Sequence, residues 1–406
     1  LDRTILHCDA NCFFASVETY FHPEYAKVPM AVCGSKADRH GIVLAKNDLA
    51  KKYGVKTGEA IWQAQAKCGN LVIAAPHYDL YEEFSARMSK IFYQYTDLIE
   101  PYGIDESWLD VTASQKLFGD GETIANLIRE RIKREIGITV SVGVSFNKVF
   151  AKLGSDIKKP DAVTVIPREG FKQKIYGLPA EDMLYVGRRM SKALERLSIY
   201  TIGDLANSDR NYMIKRFGKC GGMLWDYANG YDCSPVTPYG YSEPIKSVSN
   251  GMTFKRNLHG EDDVAFATHY LADMVATRLR KYGAQCRCVS VVIRDTNLES
   301  FVRQTTVAPT DVYNEIAHYA IDLIKANYDL SKDIYSLTVG TSQLLYGDTD
   351  DQCEFFEFNP RHDKLRALGK TLDKLRQKYG ASSVVMAHAI NNEVKPFQQL
   401  HRKITG

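Results

Sequence analysis

Three acidic positions could do chemistry: Asp9, at the end of a short apolar segment, and the adjacent pair Asp105-Glu106, which follows Pro101-Tyr102-Gly103-Ile104. Neighbouring side chains on a regular strand point to opposite faces, so the pair converges on one site only at a turn, which Pro101 and Gly103 favour. Converging carboxylates attract hard cations. With phosphate oxygens and water they form the shell that Mg²⁺ requires, and two such ions about 3.5–4 Å apart activate an attacking hydroxyl and neutralise a leaving phosphate. Taken alone, an Asp-Glu dipeptide after a loop is usually solvated surface, so the rest of the chain has to decide.

The elements that must position these acids follow from hydrophobic periodicity. Residues 138–146 alternate Ile138, Val140, Val142, Val144 and Phe146 with small or polar residues, the pattern of a strand. Residues 81–95 and 122–135 carry apolar side chains at helical spacing, among them Phe84, Met88, Ile91 and Ile124, Ile128, Ile132. With strands at 5–8 and 107–111 they predict a mixed sheet backed by helices, an α+β layer. Residues 178–230 read as helical, punctuated by Gly187, Gly203 and Gly218, and Pro235, Pro238, Gly240 and Pro244 mark a linker. From 245 to 345 the order β-α-β-β-α-β is the split-βαβ arrangement. Leu365, Leu368, Leu372, Leu375 and Tyr379 predict a short amphipathic helix near the end.

Composition sets the bounds. A chain of 406 residues is too long for one ordinary core, and 45% apolar with 25% charged residues is a globular composition. No stretch reaches the roughly 18 uncharged apolar residues of a membrane span, and the chain opens into Ile5-Leu6-His7-Cys8 without a basic leader, so a cytoplasmic protein with no membrane partner is expected. Nine cysteines without a CxxC pair favour reduced thiols, and Cys286 and Cys288 read as packing residues. The net charge of +3 names no partner, and no segment is strongly basic. Any nucleic-acid surface must therefore be built from locally arranged residues.

Four runs occur in a telling order: Cys8-Asp9-Ala10-Asn11-Cys12-Phe13-Phe14-Ala15-Ser16-Val17-Glu18, Tyr102-Gly103-Ile104-Asp105-Glu106-Ser107, residues 143–152 (GVSFNKVFAK), and Ser155-Asp156-Ile157-Lys158-Lys159-Pro160. Together they resemble the Y-family, or lesion-bypass, DNA polymerases. Asn11, Asp48-Leu49-Ala50-Lys51 and Gly187-Arg188-Arg189-Met190-Ser191-Lys192 resemble the UmuC branch (ImpB/MucB/SamB type), since the DinB branch usually has Asp, Tyr and Arg at the positions of Asn11, Asp48 and Lys51. The resemblance implies a multi-domain α+β right hand. Residues 1–25 and 78–167 would be a mixed-sheet palm, 26–77 small fingers, 168–235 a helical thumb with a helix-hairpin-helix, 241–346 a split-βαβ little finger and 347–406 a C-terminal extension. It implies translesion, error-prone DNA synthesis, expected to belong to the SOS response, in which a dNTP is added to a primer on template DNA.

By the same resemblance Asp9, Asp105 and Glu106 are the catalytic acids and hold two Mg²⁺ ions, with the Ala10 carbonyl completing one shell, while Asn11 is not a ligand. Phe14 aligns with the steric gate that presses on C2′ of the incoming sugar, and Phe13 or Phe14 is expected in the core. Cys12, Phe13 and Phe14 surround the nucleotide, and Lys51 and Lys159 are the expected triphosphate partners, as point charges. Lys46 and Asn47 lie in the same fingers segment as candidate nucleotide contacts, with solvent-facing the alternative for Lys46, and Tyr81 resembles a tyrosine near the nascent pair or else packs in the core. Residues 184–189 resemble a hairpin whose Gly187 turn exposes backbone N–H groups to phosphate, with Arg188, Arg189 and Lys192 adding charge. In the little finger Lys246, Lys255, Arg256, Arg287 and Arg294 are DNA-contact candidates. Gln343-Leu344-Leu345-Tyr346 loosely resembles a peptide that docks on the sliding clamp, or is the end of a strand; accessory damage-response subunits are a further expected partner. The rival readings are a catalytically inactive DNA-binding scaffold, disfavoured by the three acids, and a nucleotide cyclase, which leaves the later segments unexplained.

Overall fold

The computed structural model describes residues 3–34, 41–347 and 360–385. The chain divides into two compact units, the first ending at Ser242 and the second starting at Glu243.

In the first unit, β1 (Ile5–Ala10), β5 (Ile99–Pro101), β6 (Glu106–Asp110), β7 (Val140–Ser145) and β8 (Val163–Ile166) form one sheet in the order β5-β6-β1-β7-β8. The central strand β1 is antiparallel to both β6 and β7, while β7 and β8 run parallel. Each face of this sheet is covered. Leu6, Cys8, Val140, Val142 and Val144 pack against Phe84, Ile124, Ile128 and Ile132 of helices α4 (Tyr78–Phe92) and α6 (Gly121–Glu135). The opposite face, with His7, Asp9 and Gly143, meets α7 (Lys148–Ile157). Phe146, expected on the same face as Val144, leaves it: the strand ends at Ser145 and the Phe146 ring joins the core of the helical segment.

Helix α1 (Phe13–Phe21) leads into a small sheet of β2 (Met30–Cys33), β3 (Val43–Lys46) and β4 (Val72–Ala74), ordered β3-β2-β4, with short helices α2 (Asp48–Lys52) and α3 (Ile61–Lys67). A short α5 (Gln115–Phe118) precedes α6. Beyond β8 come α8 (Phe171–Ile175), α9 (Arg188–Glu195), α10 (Ile202–Asn207) and α11 (Arg210–Ala228), built around Ile175, Leu194, Ile202, Leu205 and Leu224. Gly218 breaks α11 with φ 63 and ψ −148, which only glycine adopts without cost.

The second unit contains β9 (Ser247–Leu258), α12 (Gly260–Lys281), β10 (Ala284–Asp295), β11 (Ser300–Thr310), α13 (Tyr313–Asn327) and β12 (Ile334–Tyr346). The order β11-β10-β12-β9, with every neighbour antiparallel, interlocks two split-βαβ pairs. Strand β12 lies between β9 and β10, and β10 lies between β11 and β12. Val248, Val289, Val291, Ile293, Leu337 and Val339 face the helices. The other face presents mostly short residues: Ser249, Gly340 and Ser290 in one row, ended by Gln304 on the edge strand, and Gly251, Thr338, Val292 and Val302 in the next. Helix α14 (Pro360–Tyr379) docks on this unit through polar contacts. Asp373 binds Arg280 at 2.6 Å, Arg376 binds Asp273 at 2.8 Å, Arg366 binds Asp311 at 3.0 Å, and His362 binds Glu315 at 2.9 Å. The eight cysteines of the described residues are free, and Cys286 and Cys288 are buried on β10 as packing residues.

Candidate active site

The register places Asp9 of β1 directly opposite Glu106 of β6, so their side chains share the face that meets α7. Asp105 occupies the bend before β6, where Gly103 has φ 99, and its carbonyl accepts the Ala10 N–H at 3.1 Å. The pair therefore straddles a strand end, the geometry that lets neighbouring carboxylates address one site. Helix α7 and the loop after it supply cations: Lys159 Nζ is 2.7 Å from Asp9 Oδ2 and 2.8 Å from Asp156, and Lys152 pairs with Glu106 Oε2. Lys152 is quoted in the sequence runs above without a role, and here it neutralises a carboxylate.

His7 is a further member that sequence reading missed. It is fully buried two residues before Asp9, with Nδ1 2.9 Å from Ser155 Oγ and Nε2 3.2 Å from Glu106 Oε2. The signal was available, because residues i and i+2 of a strand share a face. Ligand atoms of His7, Asp9 and Glu106 all lie within 4.8 Å of one another, and Asp105 stands outside that tight group.

Burial sets the electrostatics. Asp9 is pushed up to about 6 by burial, against the Lys159 ammonium, and Asp105 is raised by burial and the Glu106 charge. Burial also acts upward on Glu106, but its contacts with His7 and Lys152 hold it at about 2. His7 is lowered, chiefly by burial. Two carboxylates raised chiefly by burial beside a third held low by its partners mark a perturbed acidic cluster.

Around α1 the two phenylalanines separate. Phe13 is buried in the core, whereas the half-buried Phe14 ring stacks on Tyr81 at 4.1 Å and 11°. Tyr81 is fully buried and its hydroxyl donates to Glu18, so its role is to back Phe14 from the core. Cys12 caps α1 in the left-handed conformation (φ 50), and its side chain makes no cap. Asn11 donates to Thr139 Oγ1 at 3.1 Å and accepts from Ser141 Oγ at 2.9 Å, which ties it to β7 rather than to an ion. Asn47 corrects an expectation: its amide caps α2 and binds the Tyr25, Val28 and Met30 backbone, leaving nothing for a nucleotide. Lys46 donates to Thr57 at 3.1 Å, and Lys51 is exposed on α2.

Comparison with known proteins decides the family. The impB/mucB/samB family model matches residues 8–156, and the model of its C-terminal domain matches residues 245–354. "DNA polymerase IV" of Acetivibrio thermocellus is 48% identical over 95% of this chain and 96% of its own length. The chain belongs to the impB/mucB/samB family of Y-family DNA polymerases. "DNA polymerase IV" of Moorella thermoacetica is 36% identical over 93% of this chain and 94% of its length, and that of Clostridium kluyveri 33% over 95% and 97%. None of these three names speaks to the UmuC branch. The solved "Y-family DNA polymerase chimera Dbh-Dpo4(243-245)-Dbh" shares the fold, with TM-score 0.73 and 23% identity over 85% of this chain and all of that one. The chain is thus a DNA-directed DNA polymerase, with the multi-domain α+β right-hand architecture of its family.

The DNA-contact candidates fall on two units. Gly187 is the N-cap of α9 with extended backbone, and the left-handed residue of the preceding turn is Tyr185 (φ 69), so the glycine turn expected at 187 is displaced by two residues. Arg188, Arg189 and Lys192 are exposed on α9. In the second unit Lys246 pairs with Glu243 at 2.9 Å, Arg256 forks onto Asp263, and Arg294 donates to the Leu298 carbonyl at 3.2 Å. These side chains have protein partners, so they do not form a bare basic stripe; Arg287 is exposed on β10 and the Lys255 side chain lies outside the described residues.

Of the two readings of Gln343, Leu344 and Tyr346, the structure shows the end of a strand. Leu344 and Tyr346 pair with Cys286 and Ala284 of β10, Gln343 sits just before them with φ 55, and the Tyr346 hydroxyl donates to the Ile245 carbonyl. The backbone here is engaged with β10, while the Gln343 and Tyr346 side chains are exposed. Most of residues 347–359 and 386–406 lies outside the described residues. No helix among the described residues is long and apolar enough to cross a membrane.

Proposed function

We propose that this polymerase performs translesion synthesis with two Mg²⁺ ions held by Asp9, Asp105, Glu106 and the Ala10 carbonyl, adding dNMP to a primer 3′ hydroxyl with release of pyrophosphate. The observation that carries the reading is the gathering of buried carboxylates at one strand end with lysine ammonium groups on Asp9 and Glu106, which stand where cations are wanted. The chemistry the ions supply when bound is activation of the primer hydroxyl and neutralisation of the leaving group. Asp9 and Glu106 would hold the ions in place of their lysines, which would leave Lys159 available to the triphosphate. Lys51 adds a second point charge, and the N–H groups at the start of α1 add dipolar donors around Cys12 and Phe13. Error-prone copying and the SOS role rest on the resemblance, as does the UmuC branch, supported by Asn11 and Asp48.

Metal affinity should follow the Asp9 proton. A carboxylate must ionise to bind, so affinity for Mn²⁺ used as a probe should weaken as pH falls below about 6, by up to tenfold per unit, and level off above it. A titration series from pH 5 to 8 that shows no such bend would refute it.

Phe14 is the sugar gate in this reading. Backed face to face by Tyr81, its ring cannot retreat, which is what exclusion of a 2′ hydroxyl requires. Phe14→Ala should raise ribonucleotide incorporation relative to deoxyribonucleotide by about 10²-fold in kcat/KM. Unchanged sugar discrimination would remove the assignment.

For DNA, Gly187, Arg188, Arg189 and Lys192 at the start of α9 would hold backbone phosphate, and the short-residue face of the second unit lets a phosphate backbone approach the sheet closely. Gly251 and Gly340 keep that face flat: a Cβ there would stand 2.1 Å from Thr338 Oγ1 or 2.7 Å from Ser290 Oγ. Primer extension with Mg²⁺ on undamaged and abasic templates tests the function as a whole, and inactivity on both would favour an inert scaffold.

A further inference from the structure

Trp62 is 70% exposed, more than any other aromatic ring among the described residues. Its place on α3 explains why. Ile61, Ala64 and Cys68 recur at helical spacing and are buried in a small core with Ala31, Val43 and Ala50, so the side chain at position 62 points away from it. Gln65 and Ala66, one turn on, are exposed too, and Ala66 is too short to cover an indole. The ring has no hydrogen bond and no aromatic neighbour among the described residues. Its mount is nonetheless fixed: the Ile61 N–H donates to the Gly41 carbonyl at 3.1 Å and the Val43 N–H to the Glu59 carbonyl at 2.9 Å. The charge around it narrows the ligand. Residues 26–77 carry eight Lys and Arg against three Asp and Glu, a local excess that the chain's net charge of +3 conceals. Of those acids, Glu59 is already engaged by the Lys67 ammonium and the Lys56 backbone N–H. Lys52 and Lys56 are exposed.

An open aromatic face in a basic segment suits single-stranded nucleic acid, because any base can stack on the ring while cations hold the phosphates. Bases inside a duplex are excluded, since their faces are already stacked on one another. In a DNA-directed polymerase the unpaired strand is the template ahead of the primer end. We propose that Trp62 is a stacking platform for an unpaired template base, with Lys52 and Lys56 supplying charge to the adjoining phosphates. The inference deepens the functional reading and rests on the chain copying a template, not on the metal ions.

The test uses the full chain and two primer-templates that differ only in the 5′ template overhang, thymidines in one and abasic residues in the other. Both overhangs keep their phosphates, so only the bases are compared. Of the three tryptophans, Trp108 is buried and Trp225 half-buried, each with its indole N–H on a carbonyl, so a change in intrinsic fluorescence reports Trp62. The thymidine overhang should quench the wild type and bind about tenfold more tightly than the abasic one. Trp62→Ala should lose the quench and bind both alike, whereas Trp62→Phe should keep most of the preference for bases. Thermal melts identify a variant that fails to fold, and if Trp62→Ala does so, Trp62→Gln replaces it. A wild type that binds both overhangs equally and is quenched by neither would overturn the proposal. So would a folded Trp62→Ala that still prefers the thymidine overhang, which would return the ring to a protein contact. Extension of the same primer by the wild type is measured in parallel. Extension without a base-dependent quench defeats this inference alone, and the quench without extension defeats the catalytic reading alone.

Discussion

Changing Asp105 and Glu106 together to alanine is expected to reduce Mg²⁺-dependent primer extension by about 10³-fold or more, because in the proposed mechanism the carboxylates would act through ions that stabilise several kcal/mol of transition-state charge. The loss should fall on kcat, with primer-template affinity changed little, since the DNA-contact candidates lie on α9 and in the second unit. Removing Glu106 also strips the partner from Lys152, whose side chain is only 17% exposed, so the double variant carries a stability cost unrelated to catalysis. Glu106→Gln separates the two effects. It keeps the shape of the side chain while halving its value as an anionic ligand, and should remain folded with extension at least about tenfold down. Full activity in either folded variant would refute the metal assignment.

The second large effect is on folding. A Cβ at Gly143 would stand 1.8 Å from the Ala151 carbonyl oxygen and 2.5 Å from the Ser155 nitrogen, both backbone atoms of α7 that no rotamer change can move. Gly154 lies over the same spot, 3.1 Å from the Gly143 Cα by the same measure, so helix and strand cross at their two smallest residues. Gly143→Ala should therefore cost about 3 kcal/mol or more and lower Tm by roughly 6–12 °C. Gly177→Ala, where an added Cβ meets nothing within 4 Å, is the control and should melt near the wild type. The consequence extends to the site, because this close crossing is what brings Lys152 and Ser155 within reach of Glu106 and His7. A Gly143→Ala protein with unchanged Tm would show that α7 can be displaced without loss.

Much of this was legible in residue order. The alternation from Ile138 to Val144 predicted β7, the helical spacing of Phe84, Met88 and Ile91 predicted α4, and the β-α-β-β-α-β run predicted the second unit, since period alone separates strand from helix. The acids were legible because four runs in fixed order single them out. Less visible were their partners. Lys159 reads as a triphosphate contact and here binds Asp9, and Lys152, given no role from sequence, binds Glu106, because pairing depends on which strand α7 crosses. Asn47 reads as polar and available until its four backbone contacts are seen.

Gln343 to Tyr346 illustrates the same divide. A glutamine followed by large apolar residues fits both a docking peptide and a strand end, and only the pairing with β10 chooses between them. By itself the sequence determined the element types and the family and singled out the acids proposed as catalytic, all of which depend on short-range pattern. Tertiary structure decided which charges neutralise which, that Phe14 and not Phe13 is held partly exposed against Tyr81, and that His7 is turned toward the acids. Those outcomes depend on strand register and on the approach of α7 at Gly143, distances between residues far apart in the chain that no local pattern encodes.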